Sequence, residues 1–420
     1  MKQSQFVTLK QQIKEKIDLS STVSDAKLME LIEEAIFLAS SEGKWTSNEI
    51  HASVKRMFDS FRGLDILQPL IDDPTVTEIM VNGHEDIFFE RRGAVERYAY
   101  SLESAEKLED LIQMIVSKVN RIVNQSTPIV DARLQDGSRV NIVLPPASLS
   151  GPTLTIRKFP EKPLLMEDLI QMGSISTEAA EVLQVLVESG YNIFIGGGTG
   201  SGKTTFLNAL SSWIPAHERI ITIEDSAELQ IQTVPNLVRM ETRNANTEGK
   251  GEITIRDLIR ASLRMRPNRI IVGEVRGAEA LDMLAAMNTG HDGSLSTGHS
   301  NTSVDMLSRL ETMVLSGASL PIEVIRKQIA SALDVMVHIS RTRDRTRKVT
   351  EIHEVIGMKD GEVHLHPLFL FEERGEVTDA KVTGELVYTG NPLQSMHKIR
   401  MAGKRLPTWF SHRKEECGTE

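Results

Sequence analysis

The stretch Ile195–Thr205, IGGGTGSGKTT, constrains this chain more than any other. Gly197, Gly198, Thr199, Gly200, Ser201, Gly202, Lys203 and Thr204 fit the pattern G-x-x-x-x-G-K-[ST]. The apolar segment YNIFIG precedes it, and TTFLNALSSWI, with helical spacing of its apolar residues, follows. A strand entering such a loop and a helix leaving it separate a phosphate-binding loop from a chance run of glycines. The glycines let successive amides face phosphates, and the helix N-terminus adds positive potential. Lys203 can neutralise the β and γ phosphates, and the Thr204 hydroxyl can ligate magnesium, with Thr205 beside it in the same turn. ATP and Mg2+ are therefore the expected ligands.

Hydrolysis needs a carboxylate near the γ-phosphate, usually at the tip of a neighbouring strand. RIIVGEVRG supplies an apolar strand ending in Glu274, with Gly273 where many such enzymes carry a magnesium-holding Asp. Glu274 is the candidate to orient or deprotonate the attacking water, and metal contact would then run through water. RIITIEDSAEL puts Glu224 and Asp225 at a second strand tip, Asp225 being the candidate on the metal side. A strand-ending acid can also simply face solvent. In NTGHDGSLSTGHSN, His291 precedes a loop and His299 ends a strand-like segment; a γ-phosphate sensor or a structural histidine both fit His299 there.

Around this centre the chain divides. At 420 residues it is too long for one core, so two or three folded units are expected. Residues 1–66 read as a small helical unit. In DAKLMELIEEAIFLASSEG, Leu28, Leu31, Ile32, Ala35, Ile36 and Ala39 recur at three and four, with Asp25 as a cap and Gly43 as a stop. In TSNEIHASVKRMFDSF, Ile50, Val54 and Phe58 share a face behind a Thr46 or Ser47 cap. Residues 67–163 read as a mixed α/β domain: strands at TEIMVNG and DIFFERRG, a long helix at SAEKLEDLIQMIVSKVNRIVN, then strands in RLQDGSRVNIVLPP and PTLTIRKFP. Residues 164–175 are a linker. Residues 176–371 alternate strands and helices, which predicts an α/β fold with a mostly parallel sheet covered on both faces. DVMVHISRTRDRTRKVTEIHEVIGM and EVHLHPLFLF look like antiparallel additions to it, and residues 372–420 form an extension without an assigned role.

Composition narrows the partners. Acidic residues outnumber Lys plus Arg by 58 to 48, for a formal charge of -10, which argues against a general nucleic-acid binder. The basic run SRTRDRTRK lies between two strand-like segments with no interleaved aromatics, so it reads as a solvated hairpin turn. Cys417 is the single cysteine, which excludes an intrachain disulfide and a cysteine-built zinc site. The amino terminus lacks the apolar core of a signal peptide, and no apolar run approaches the roughly 18 residues of a spanning helix. The expectation is a cytoplasmic protein, peripherally associated at most with the inner face of the membrane.

Taken together, GGGTGSGKTT, TIEDSAELQ, RMRPNRIIVGEVRGAEALDMLAAMNTGHDG and LSTGHSN resemble the Walker A, Asp box, Walker B and His box of the type II/type IV secretion ATPase superfamily. EIMVNG, DARLQDGSRVNIVLPP and TLTIRKF extend the likeness to its CpaF/TadA branch, which serves Flp or tight-adherence pili. The resemblance covers Leu67 to Phe371. It implies a RecA-like core, a homohexamer, and ATP held between the core and the preceding domain. It also implies arginines from outside the core, at positions matched by Arg139 and Arg157, and a γ-phosphate role for His299. Surface arginines at strand ends are the plainer alternative for the first two. Arg243, Arg264, Arg266 and Arg276 are further candidates. The implied partner is a polytopic inner-membrane pilus or secretion platform. The four-cysteine zinc insertion of related assembly ATPases is missing here, as it is from the CpaF/TadA branch. Three rivals stay open: a conjugation-type or nucleic-acid-translocating motor on the same core, a P-loop phosphotransferase, and an ATP-gated scaffold.

Overall fold

The computed structural model describes residues 3–17, 23–41, 45–91, 93–118, 122–134, 136–159, 162–243, 245, 249–374 and 381–411. It resolves two compact units, Met1–Glu161 and Lys162–Glu420.

The first unit begins with three helices, Gln3–Lys16, Asp25–Ser41 and Ser47–Arg62. Phe6, Ile13, Leu28, Ile32, Ile36 and Met57 close a small core of their own. The caps follow local chemistry. Thr46 and Glu49 form a reciprocal capping box on the third helix. On the second helix, Asp25 already lies in the first turn, and the Ser24 hydroxyl accepts from the Lys27 amide at 3.3 Å, so the cap falls one residue earlier than the acidic residue suggests. Gly43 lies outside the described residues.

Six antiparallel strands follow: β1 Val76–Asn82, β2 Asp86–Arg91, β3 Ala94–Arg97, β4 Ile129–Arg133, β5 Arg139–Val143 and β6 Thr153–Arg157, in the order β3-β2-β1-β6-β5-β4. The helix Ala105–Lys118 buries Leu108, Leu111, Ile112, Ile115 and Val116 on this sheet's core. The apolar periodicity runs on to residue 124, but Asn124 pairs instead with Thr127 in an isolated bridge.

The second unit is a nine-stranded sheet: β7 Ile193–Gly197, β8 Arg219–Glu224, β9 Asn236–Glu241, β10 Arg269–Val272, β11 Leu295–His299, β12 Val335–Arg341, β13 Arg347–Lys359, β14 Glu362–Glu373 and β15 Gly384–Tyr388. The order is β15-β14-β13-β12-β7-β11-β10-β8-β9. From β12 to β9 all neighbours run parallel; β13, β14 and β15 add antiparallel strands at one side. The expectation that all of DVMVHIS and its successors are antiparallel additions needs correction at β12, which pairs in parallel with β7 and antiparallel with β13.

Side-chain alternation along the strands builds two cores. Ile193, Ile195, Val335 and Val337 face helices Met166–Gln171, Thr177–Glu188 and Lys203–Ser211. Phe194, Ile270, Val272 and Met336 face helices Ile255–Ser262, Glu279–Met287, Ser303–Gly317 and Ile322–Ala332. Each of these fully buried Ile or Val side chains contributes about 1.5–3 kcal/mol relative to exposure. The described residues between 381 and 410 belong to the same body: β15 completes the sheet, and Leu393, Ile399 and Phe410 enter the first of these cores.

Candidate functional site

All the parallel strands of the second unit end on one edge, and the residues that carry chemistry collect there, as ligands do in open parallel sheets. β7 delivers the loop Gly198–Gly202, with φ of +70° at Gly200 and +97° at Gly202, conformations that L side chains rarely adopt. Gly197 is fixed for another reason: a Cβ there would collide with the Ile339 carbonyl and lie 2.6 Å from Ser201 Oγ. Gly198, Thr199 and Gly200 are exposed, Ser201 is buried, and Thr204 and Thr205 are half-buried in the first turn of the helix Lys203–Ser211.

Lys203 is buried. Its Nζ donates to the Gly197 and Gly198 carbonyls, both at 3.0 Å, and lies 3.2 Å from His299 Nδ1. An ammonium can only donate, so Nδ1 is the acceptor and the His299 proton sits on Nε2. Nε2 lies 2.8 Å from Glu274 Oε1, close but without the alignment of a good hydrogen bond, so that oxygen is left without an aligned donor. Burial, then Lys203, then Arg276 and Arg309, outweigh the opposing effect of Glu274 and hold His299 below the ordinary imidazole pKa. Burial also lowers that of Lys203. On the other side of Glu274, Arg276 donates to Oε2 at 2.9 Å and reaches Asp225 Oδ2 at 3.6 Å. Lys203, His299, Glu274, Arg276 and Asp225 therefore form one continuous polar chain.

Glu274 does not stand on a strand adjacent to the P-loop strand, as the sequence reading supposed. β11 intervenes between β7 and β10, and that intervening strand carries His299, directly opposite Gly197. Gly273 has a spatial explanation. A Cβ there would lie 3.0 Å from Glu224 Cγ, so Glu224 of the neighbouring β8 fills the space a side chain at 273 would use. Glu224 Oε2 accepts the Glu228 and Leu229 amides at 2.7 and 3.0 Å, while Oε1 is buried without a partner among the described residues. Burial pushes its pKa up to about 7 against the lowering effect of those two amides.

This donor set suits a nucleotide with magnesium. Positive-φ glycines leave a cradle of amides, Lys203 faces it, and hard carboxylate oxygens of Glu224 and Glu274 are buried and unsatisfied. Thr204 and, through water, Asp225 are the groups that would hold the metal. The other arginine candidates differ in setting. Arg139 on β5 faces Arg157 on β6 in register, and Arg157 also faces Glu78 on β1. Arg243 donates to the Gly251 carbonyl at 2.7 Å, and Arg264 and Arg266 are exposed. His291 Nδ1 lies 3.0 Å from the Ala286 carbonyl, a structural contact.

One participant is absent from the sequence reading. SRTRDRTRK does form a hairpin connection, with Asp344 binding Thr342 and Thr346, but Arg347 Nε donates to the Gly200 carbonyl at 2.9 Å. The placement of β12 beside β7 brings it there; the charge pattern alone gives no sign of it.

Residues 61–383 match the family described as type II/IV secretion system proteins, well over half of the chain. The chain belongs to that family. Its members are ATPases, and ATP binding follows from membership. A Mycobacterium tuberculosis (strain ATCC 25618 / H37Rv) protein named for conjugal transfer is 32% identical over 345 residues, covering 81% of this chain and 97% of that protein. The type IV secretion system protein VirB11 of Brucella suis biovar 1 is 35% identical over 315 residues, covering 69% and 87%. The crystal structure of the pilus retraction motor PilT with ADP matches the fold with a TM-score of 0.50 at 19% identity, over 81% of this chain and 86% of that one. The secretion ATPase core thus accounts for the RecA-like sheet, while the first two helices and all but the last two residues of the third lie outside the family match. Among the described residues no helix is long and apolar enough to cross a membrane.

Proposed function

We propose that the protein is a magnesium-dependent ATPase motor that works as a homohexamer and drives Flp-type pilus assembly through a polytopic inner-membrane platform. The observation that carries its ATPase chemistry is the polar chain from Lys203 through His299 to Glu274, Arg276 and Asp225. In this reading the P-loop amides and Lys203 bind the β and γ phosphates, and His299 stands beside the γ-phosphate. Glu274 Oε1, which lacks an aligned donor, takes the proton of the attacking water, and Glu224 helps orient that water. Magnesium, when bound, neutralises phosphate charge from the Thr204 and Asp225 side. Arg139 and Arg157 are proposed to reach developing charge in the transition state from outside the core. The CpaF/TadA-like segments before the core support the pilus assignment.

A second reading is favoured by the conjugal-transfer name of the mycobacterial relative and by VirB11: a motor of the conjugation type. The two separate in cells. The natural copy is replaced by Glu274→Gln, and surface pili and DNA transfer are scored in the same strain. Loss of pili with DNA transfer intact supports pilus assembly. Loss of transfer with pili intact, or turnover of the purified protein stimulated by single-stranded DNA, supports the conjugation reading.

A further inference from the structure

His338 lies in the sheet interior beside the P-loop strand, and the ATPase chemistry above leaves it unused. It sits on β12 directly opposite Gly196 of β7 and is 3% exposed. Its Nδ1 is 2.9 Å from Thr350 Oγ1 and its Nε2 is 3.5 Å from the Ser300 carbonyl. A carbonyl only accepts, so Nε2 carries the proton and Nδ1 accepts from the Thr350 hydroxyl. Burial holds the ring below the ordinary histidine pKa, in keeping with this neutral tautomer.

Ser300 directly follows His299. Its amide donates to the Gly197 carbonyl at 3.3 Å, and its carbonyl faces His338. A Cβ on Gly196 would lie 2.6 Å from Ser300 Oγ and 3.6 Å from His338 Cδ2, so glycine at 196 is what lets the two approach. Ser300, the residue after His299, is thereby held at its amide by the P-loop strand and at its carbonyl by β12. The ring held at that point is the one between Lys203 and Glu274.

We propose that His338 is a positioning residue for ATP hydrolysis: through its Nε2–H it fixes the Ser300 carbonyl, and with it the His299 ring between Lys203 and Glu274. The inference rests on the placement of His299 at the γ-phosphate. The fold itself has no need of the imidazole. A methionine would fill the site without its desolvation cost, and the Thr350 hydroxyl, freed from Nδ1, could turn its one proton to the backbone carbonyl of residue 338, 3.3 Å away, leaving the Ser300 carbonyl as the group that loses its partner.

The test is steady-state kinetics and thermal unfolding of His338→Met and His338→Gln, the second retaining a side-chain N–H, together with His299→Ala and the double variant His299→Ala/His338→Met. His338→Met lowers kcat about tenfold and leaves KM within about twofold, with a fall in Tm no larger than the loss of one buried hydrogen bond brings and with the protein fully folded at the assay temperature. His338→Gln recovers most of the rate. In the His299→Ala background His338→Met has no further effect, because the two act as one unit. Wild-type turnover in His338→Met, a loss of kcat accounted for by unfolded protein at the assay temperature, or additive losses in the double variant would overturn the proposal. The control separates the two layers. If His299→Ala retains full turnover, the assignment of His299 fails and takes this one with it; if His299→Ala is inactive while His338→Met is wild-type, only the His338 proposal fails.

Discussion

At the amino ends of the parallel strands in the second unit, the amide and charged side chains Asn192, Asp334, Lys398 and Arg269 are tied into hydrogen bonds and ion pairs, although Ser189 Oγ is buried without a partner among the described residues. Asn192 donates to the Ala332 carbonyl at 2.8 Å and accepts the Ser294 amide at 3.0 Å, while its own amide donates to Asp334 at 2.7 Å. Lys398 joins Asp334 and Asp292, and Arg269 grips Glu218 with two hydrogen bonds and adds the Val187 carbonyl. At the carboxyl ends of the same strands, Glu224 Oε1, Ser201 Oγ and Ser300 Oγ are buried without partners among the described residues, and Glu274 Oε1 has none that is aligned. At one edge the charged side chains pair with one another and hold strands together; at the other, two carboxylates keep an oxygen that a ligand could use. The difference shows where stability and function are separable, since unsatisfied buried oxygens cost about 1–3 kcal/mol each until something binds them.

The contrast breaks if changes at the two edges have similar consequences. The largest expected effect is at the carboxyl edge: Glu274→Gln lowers kcat by about a thousandfold, roughly 4 kcal/mol in barrier, while nucleotide still binds and Tm does not fall. Turnover and nucleotide-binding fluorescence on the same preparation check it. At the amino edge, Asn192→Ala should cost about 3 kcal/mol in urea unfolding by orphaning the Ser294 amide and the Ala332 carbonyl, with kcat unchanged at a temperature where the variant is folded.

A pH series sharpens the picture at Glu224. Burial pushes its pKa up to about 7 from the ordinary carboxylate value of 4.5, so its contribution to nucleotide-free stability is full below pH 4.5 and is lost as pH rises through 7. Relative to Glu224→Gln, the wild type should therefore lose about 3 kcal/mol across that pH range, read as a change in the difference between their Tm values. Equal pH dependence of the two proteins would show that Glu224 is not held in this way. The smallest effect belongs to neither edge: Thr46→Ala removes the capping box of the third helix and should cost about 1 kcal/mol, without change in turnover.

What was legible in the sequence is what short-range chemistry dictates. A loop whose backbone must turn through positive φ at Gly200 and Gly202 has to be written in glycine, and strand-tip acids such as Glu224 and Glu274 follow runs of apolar residues. Strand order is decided by crossovers between distant segments, and local patterns do not carry it. That is why β12 reads as an antiparallel addition when it lies in parallel beside β7, and why β11 was not expected between β7 and β10. The same non-local pairing brings Arg347 to Gly200 and His338 to Gly196. In sequence, one is a member of a solvated charge run and the other a polar residue interrupting a strand. The buried Leu393, Ile399 and Phe410 were equally hidden, because single apolar residues in a polar segment have no periodicity to reveal a shared core.

The central claim is that the carboxyl edge is an ATP site completed from outside the core in a ring of subunits. ATP turnover measured against protein concentration, with mass determination on the same samples, for the wild type and Arg157→Ala, tests it most directly. The account predicts activity only where the hexamer is populated, and its collapse in Arg157→Ala while the ring persists. A monomer that turns over ATP equally well, with Arg157→Ala indistinguishable from wild type, would contradict it.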